Sequence, residues 1–397
     1  MDFELQWLVW ALPLAFVAFA LGWIASRLDG RQFRRDQKEP KAYHKGLNFL
    51  LNEEHDKAID AFIEAVQQDP DTSDLHFALG NLFRRRGEYE RAVRVHQHLL
   101  GRADLPKDER VRAQHALAQD YMKAGLFDRA EDAYKALAGS AFDTESRLAL
   151  LDLHERAREW QSAIEVARKL ETSGTGSFAS RIAHYWCELA LEADAAHQTE
   201  AADAAIAEAR EVAPRDARPL LLAGERAAAR GDHAEALRLW NTLMSVQPAS
   251  FNLVARRYAA SARAAGKVGS ALERLRSLYE KAPTIDLLET MASLESDAEA
   301  RQELLLSHLR EHPTMAAAQA VLASRTAAAP GADGSPPATA ALPAEDATAL
   351  RQAVRRAARP LHRYRCAACG FEAEHYFWQC PGCLGWDTYP PRRLEDL

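Results

Sequence analysis

Cysteine is scarce in this chain of 397 residues: there are five, and four of them fall in one short stretch near the end. Three signatures of catalysis are missing. There is no Gly-x4-Gly-Lys-Ser/Thr phosphate loop, no His-Glu-x2-His helix and no Gly-x-Ser-x-Gly elbow. His154-Glu155 has no second histidine at the required spacing, and Gly174-Thr175-Gly176 lacks a third glycine and a preceding strand, so it reads as a loop. Alternating, strand-like runs are rare ahead of the cysteines and alanine is abundant, which points to an all-α protein. Neither sign of charge dominates. Fifty basic against 57 acidic residues leave −7, too near balance for a general polyanion binder, and 48% hydrophobic residues supply a large core.

The four clustered cysteines are Cys366-x2-Cys369 and Cys380-x2-Cys383, with ten residues between the pairs. A Cys-x2-Cys turn brings two thiolates to one side of a metal ion, and a second turn completes a tetrahedron. Gly370, Gly385 and Pro381-Gly382 suit tight knuckles whose backbone N–H groups point at sulfur. Two disulfides are the competing reading. A metal implies a reducing compartment and a module that folds around its ion. Spacing alone leaves iron and zinc both open. With four thiolates present, His362 and His375 are not needed as ligands, and the fifth cysteine, Cys187, reads as a small buried apolar residue beside Trp186.

No charge occurs over the 22 residues from Leu5 to Ser26. A helix of that length, rising ~1.5 Å per residue, crosses a hydrocarbon core of ~30 Å. Trp7, Trp10 and Trp23 lie toward its ends. A cleaved signal peptide would carry a basic flank, whereas Asp2 and Glu4 stand here. Residues 1–26 are therefore expected to be a retained transmembrane anchor. Residues 27–38 form a basic juxtamembrane segment holding Arg27, Arg31, Arg34, Arg35 and Lys38. The positive-inside rule then places the bulk of the protein on the cytoplasmic side of a single-pass membrane protein.

A period of about 34 residues organises the middle. Gly46, Ala58, Phe62 and Ala65 recur as Gly80, Ala92, His96 and Leu99, later as Ala118, Ala130, Tyr134 and Leu137 and as Leu151, Ala163, Ala167 and Leu170. The fifth to seventh copies carry Ala190, Ala202, Ile206; Gly224, Ala236, Trp240; and Ala262, Ala271, Leu275. A weak eighth ends at His312-Pro313. A small residue at the eighth place lets helix A approach helix B, and large residues at the twenty-fourth place fill the groove. The pattern resembles the tetratricopeptide repeat and predicts a solenoid of about seven to eight repeats over residues 39–324. Its A helices offer a concave face for partners, where Asn48, Asn81, Arg84 and Arg85 are candidate contacts or simply solvated surface.

Residues 325–359 read as an Ala/Pro-rich flexible linker and a short helix from Asp346 to Ala358. Residues 360–397 form the metal module, with Tyr364, Phe371, Tyr376, Phe377, Trp378, Trp386 and Tyr389 as its miniature core. Arg351, Arg355, Arg356, Arg359, Arg363 and Arg365 make a basic run. It could meet nucleic acid, but the tether and the acidic chain argue against that. Docking on the acidic solenoid or on anionic headgroups is the other use.

The three parts in this order resemble the lipopolysaccharide assembly protein B family of Gram-negative bacteria. Gly46-Leu47-Asn48-Phe49-Leu50-Leu51, Leu79-Gly80-Asn81-Leu82-Phe83-Arg84, Arg363-Tyr364-Arg365-Cys366 and Trp378-Gln379-Cys380-Pro381-Gly382-Cys383 carry the likeness. The resemblance implies a non-enzymatic regulator of lipopolysaccharide synthesis in the inner membrane. It implies an adaptor for the FtsH-type membrane AAA protease that promotes degradation of the lipid A pathway deacetylase, with a link to lipopolysaccharide export or assembly proteins. It also implies a rubredoxin-like ion on Cys366, Cys369, Cys380 and Cys383. The Ala/Pro-rich stretch at 325–345 looks expanded, which leaves fixed docking of the module on the last repeats in question. The alternative from another class is a membrane-anchored, rubredoxin-like electron carrier.

Overall fold

Small residues at one place of each repeat and large ones sixteen positions later decide how the helices meet. In the computed structural model, which describes residues 17–19, 22–23, 41–327 and 344–396, three such pairs interlock. A Cβ on Gly46 would lie 2.8 Å from Phe62, and one on Gly80 would lie 2.5 Å from the His96 ring. A Cβ on Gly224 would fall inside the indole of Trp240. The two helices of a repeat touch because one side chain is missing.

The helices fall into two compact units, residues 1–156 and 157–397. The first holds the hairpins α1 (Lys41–Leu51) with α2 (His55–Gln68), α3 (Ser73–Arg86) with α4 (Tyr89–Gly101), α5 (Lys107–Lys123) with α6 (Phe127–Lys135), and most of α7 (Asp143–Ala157). The second holds α8 (Trp160–Thr172), α9 (Ala179–Ala195), α10 (Thr199–Val212), α11 (Ala217–Ala229), α12 (His233–Val246), α13 (Ala255–Ala264), α14 (Val268–Lys281), α15 (Ile285–Leu294), α16 (Ala298–Glu311), α17 (Met315–Ala327) and α18 (Ala344–Ala358). A 3-10 turn, Pro248–Leu253, leads into α13, and α18 packs on α17. The hairpin turns need a left-handed residue. Gly87 and Gly231 supply it with φ of 83° and 82°, while Arg158 and His197 take φ of 59° in other repeats despite their side chains.

The expectation of an all-α tetratricopeptide-type repeat fold holds. Its core is the apolar frame read from the period: Phe62, Tyr134, Leu151, Ile206, Trp240 and Leu275 are all buried. Two of the four polar candidates have another role. Arg84 donates to Asp120 (2.8 Å), to the Ala116 carbonyl (3.1 Å) and to Asn81 Oδ1 (2.6 Å), and Asp120 in turn lies 2.5 Å from His96 Nδ1. Asp120 and His96 are wholly buried, so this network ties α3, α4 and α5 together. Asn48 and Arg85 are exposed. Among the described residues no helix is long and apolar enough to cross a membrane; the span expected over Leu5–Ser26 lies almost wholly outside them. The stretch 328–343, within the expected linker, also lies outside.

Gly224→Ala tests the interlock. Alanine favours a helix by about 1 kcal/mol over glycine, but overpacking a filled core costs about 1–3 kcal/mol. Trp240 cannot yield, because it is fully buried and its Nε1 donates to the Leu221 carbonyl at 3.3 Å. Net destabilisation of about 1–2 kcal/mol is expected in denaturant unfolding, and Trp240→Leu in the same chain should remove most of it. A neutral Gly224→Ala would refute the steric account.

Candidate metal centre and its seat on the repeats

After α18 the chain makes two knuckles. Strand β1 (Tyr364–Arg365) pairs antiparallel with β2 (Glu372–Ala373), with Tyr364 opposite Ala373, and the turn between them carries Cys366 and Cys369. A bridge between Gln379 and Trp386 frames Cys380 and Cys383. Cys366 N–H donates to the Phe371 carbonyl (2.9 Å) and Cys380 N–H to the Gly385 carbonyl (2.8 Å), which closes each turn. Gly370 follows the first pair with φ of 78°, as its type predicts. In the second knuckle the same conformation falls on Leu384, φ 59°, not on Gly385. Gly385 is small for another reason: a Cβ there would lie 2.8 Å from Thr388 and 3.4 Å from Cys383 Sγ.

The four sulfurs lie within 4.8 Å of one another, and no histidine or carboxylate joins the group among the described residues. Cys366 Sγ is 3.8 Å from Cys383 Sγ, and Cys369 Sγ is 3.6 Å from Cys380 Sγ. A disulfide needs sulfurs ~2.0 Å apart. A tetrahedron with ~2.3 Å metal–sulfur bonds has edges of ~3.8 Å, so this set fits a four-thiolate ion. Burial opposes ionisation of Cys366, but the Thr388 hydroxyl and the N–H groups of Cys369 and Ala368 outweigh it and hold this thiol down at about 6. Gly382 N–H reaches Cys380 Sγ at 3.4 Å. Cys366 and Cys380 are buried, whereas Cys369 and Cys383 are exposed. Cys187 is fully buried in α9, with its thiol pushed up to about 12 by that burial.

The aromatic residues divide in a way their clustering did not reveal. Tyr364 and Tyr389 pack with Cys366 and Cys380 as the module's core, joined by Tyr376. Phe371 and Phe377 are exposed. Trp378 and Trp386 instead turn to the repeats: Trp378 packs on the core of α9–α15, and Trp386 stacks on His184 at 4.7 Å and 18°. The module is therefore seated on the repeats of its own unit, despite the long Ala/Pro-rich stretch before it.

Four polar residues of the repeats form that seat: His184, Arg218, Asn252 and Asp286. They are spaced by 34, so each occupies the same place in successive repeats. All four are buried. His184 Nε2 lies 2.8 Å from Asp387 Oδ2. Arg218 faces the rings of Trp378 and Trp386 at 5.9 and 5.8 Å and donates to Glu188 at 2.6 Å. Asn252 donates to the Pro391 carbonyl (3.2 Å) and accepts from Thr284 (3.0 Å). Asp286 takes both arms of Arg393, at 3.2 and 3.3 Å. Beyond them, Glu395 accepts from the N–H groups of Met315 and Ala316 at the start of α17. The tail 386–395 thus runs along the row of repeats with side chains and backbone read in turn.

The basic run is divided as well. Arg363 and Arg365 face Glu372, at 3.9 and 2.8 Å, and Arg359 lies 3.3 Å from Glu374. The His362 carbonyl accepts from Arg393 at 2.6 Å.

Family models match both the repeats and the metal module. A family model described as rubredoxin metal binding domain matches residues 364–390, and two described as tetratricopeptide repeat match 75–110 and 115–178. A solved tetratricopeptide repeat protein from Parabacteroides merdae is similar at 15% identity with a TM-score of 0.29, covering 80% of this chain and 99% of that one. Lipopolysaccharide assembly protein B of Haemophilus influenzae is 26% identical, over 94% of this chain and 96% of its own. Lipopolysaccharide assembly protein B of Escherichia coli strain K12 is 32% identical over 389 residues, which are 96% of this chain and 97% of the relative. On that identity and coverage, the chain belongs to the lipopolysaccharide assembly protein B family.

Proposed function

We propose that this protein is a non-enzymatic, membrane-tethered adaptor that regulates lipopolysaccharide biosynthesis. The observation that carries the reading is the likeness to proteins named for lipopolysaccharide assembly over nearly the full length of both chains. Residues 1–26 anchor it as a single pass in the inner membrane, with the repeats on the cytoplasmic side. The described part of that stretch supports this, since Val17, Phe19 and Trp23 are helical and exposed. The repeats bind protein partners, among them the FtsH-type protease and the lipid A pathway deacetylase, and so promote proteolysis of the deacetylase and link synthesis to lipopolysaccharide export. Cys366, Cys369, Cys380 and Cys383 hold one ion, iron or zinc, whose work is structural: it shapes the surface that seats the module.

Deleting residues 1–26 tests the tether. The remaining chain is expected to stay folded and to lose regulation, because a membrane anchor raises the effective concentration at a membrane-bound partner. Immunoblots should then show the deacetylase accumulating; normal turnover at native expression would overturn the adaptor reading. One observation favours a second reading. Cys369 and Cys383 are exposed residues and would give an iron centre an outlet for electrons. A reversible one-electron couple, with visible absorbance in protein purified without added zinc, would support the electron carrier.

A further inference from the structure

A groove of about 810 Å³ runs between the end of α18, α17 and the metal module. Its charged lining is one-sided: Arg355, Arg356, Arg359 and Arg393, with His362 and His375, against Glu374 as the one acid in that lining. Two of these arginines are already engaged, Arg359 with Glu374 and Arg393 with Asp286. Arg355 and Arg356 are exposed, and among the described residues no carboxylate pairs with either. Both sit in the last turn of α18, where the helix dipole favours a cation. The dipole does not explain why they share a recess with two further guanidinium groups and two imidazoles in a chain of net charge −7.

We infer that this groove is a binding site for a compact, multiply charged phosphate. The guanidinium forks of Arg355 and Arg356, which line one open groove, match a phosphate dianion, which accepts paired N–H bonds on more than one edge. A nucleic acid would need a basic stripe continuing along the surface. Here the run ends where Arg363 and Arg365 turn to Glu372. The phosphate could be free or could belong to an anionic lipid headgroup, since both present the same group to the arginines. The site is independent of the adaptor reading. It places a ligand against both the last repeat helices and the module, so occupancy would hold the two together.

The test uses the full chain in neutral detergent micelles, titrated calorimetrically with inorganic pyrophosphate and, separately, with phosphatidic acid mixed into the micelles. Saturable binding of either probe is expected, and Arg355→Gln with Arg356→Gln should weaken it at least about tenfold. Pyrophosphate binding assigns a free phosphate, and binding of phosphatidic acid alone assigns a headgroup. Arg355→Lys with Arg356→Lys keeps the charge but loses the forks, and should fall between. Unchanged metal content and helical signal in these variants exclude misfolding as the cause. Failure of both probes to bind would overturn the proposal, as would equal binding of sulfate and acetate or indifference to the double glutamine variant. Binding of an acidic peptide with no phosphate binding would overturn it too.

Discussion

Replacing Cys380 with serine is expected to strip the ion and to destabilise the whole unit 157–397, not the module alone. Serine removes a soft thiolate, leaves an open ligand position and breaks the sulfur set around which the knuckles close. Metal binding in such modules supplies about 10–16 kcal/mol of folding free energy, and the three tyrosine rings and two cysteines of the module's core are too small a core to replace it. On composition alone the damage should stop at the module, because the repeats own a separate core. The seat changes that expectation. His184, Arg218, Asn252 and Asp286 are buried against the module, and each would lose a partner when it unfolds. The thermal transition of this unit should fall by on the order of 10 °C, for a loss of roughly 3–5 kcal/mol, while the unit 1–156 keeps its own. Calorimetry with metal analysis would show it; an unchanged transition in a metal-free variant would mean that the seat contributes nothing. On the proposed adaptor function, deacetylase turnover in cells then reports whether the seated module is needed.

Arg218→Ala should have the largest effect of any change outside the cysteines. Arg218 is 4% exposed, and its guanidinium pairs with Glu188 at 2.6 Å and faces both tryptophans of the module. Truncation leaves Glu188 with the more distant Arg158 at 3.9 Å and opens a gap under two indoles. Breaking one side of a buried ion pair costs about 3–5 kcal/mol. The predicted signature is more specific than lost stability. With the indoles unsupported, the module should leave its seat, and its ion should become accessible to a chelator well before global unfolding. Pairing the change with Glu188→Gln should recover part of the stability by removing the stranded charge, but not the seating, since the indoles still lack their cation. Equal chelator access in wild type and Arg218→Ala would show that Arg218 is a repeat-core residue with no part in docking.

How much was legible beforehand differs by kind of interaction. Two Cys-x2-Cys turns place sulfurs by bonds only a few residues long, so spacing sufficed to gather Cys366, Cys369, Cys380 and Cys383. The repeat frame was legible for a similar reason: Gly224 and Trp240 meet across one hairpin, and each repeat packs on its neighbours. Arg84 was misread as surface because its partner, Asp120, lies 36 residues away, and nothing local marks that aspartate as buried. The division of the aromatic residues was hidden too. Seven rings near four cysteines look like one core, and only the seat shows that Trp378 and Trp386 belong to the repeats.

Sequence by itself determined what short range and strict period control: helix pairs, their glycine and alanine contacts, and the metal knuckles. Tertiary structure decided where the module sits. His184 meets Asp387 across 203 positions, too far for any local pattern to encode, because the free energy of that contact depends on burial that exists only once the repeats have stacked. A trace was nonetheless present. Polar His184, Arg218, Asn252 and Asp286 recur at intervals of 34, where a solenoid facing only water has no need of buried hydrogen-bonding groups. Their period marks the row they occupy, and the fold alone shows that the row faces the chain's own tail.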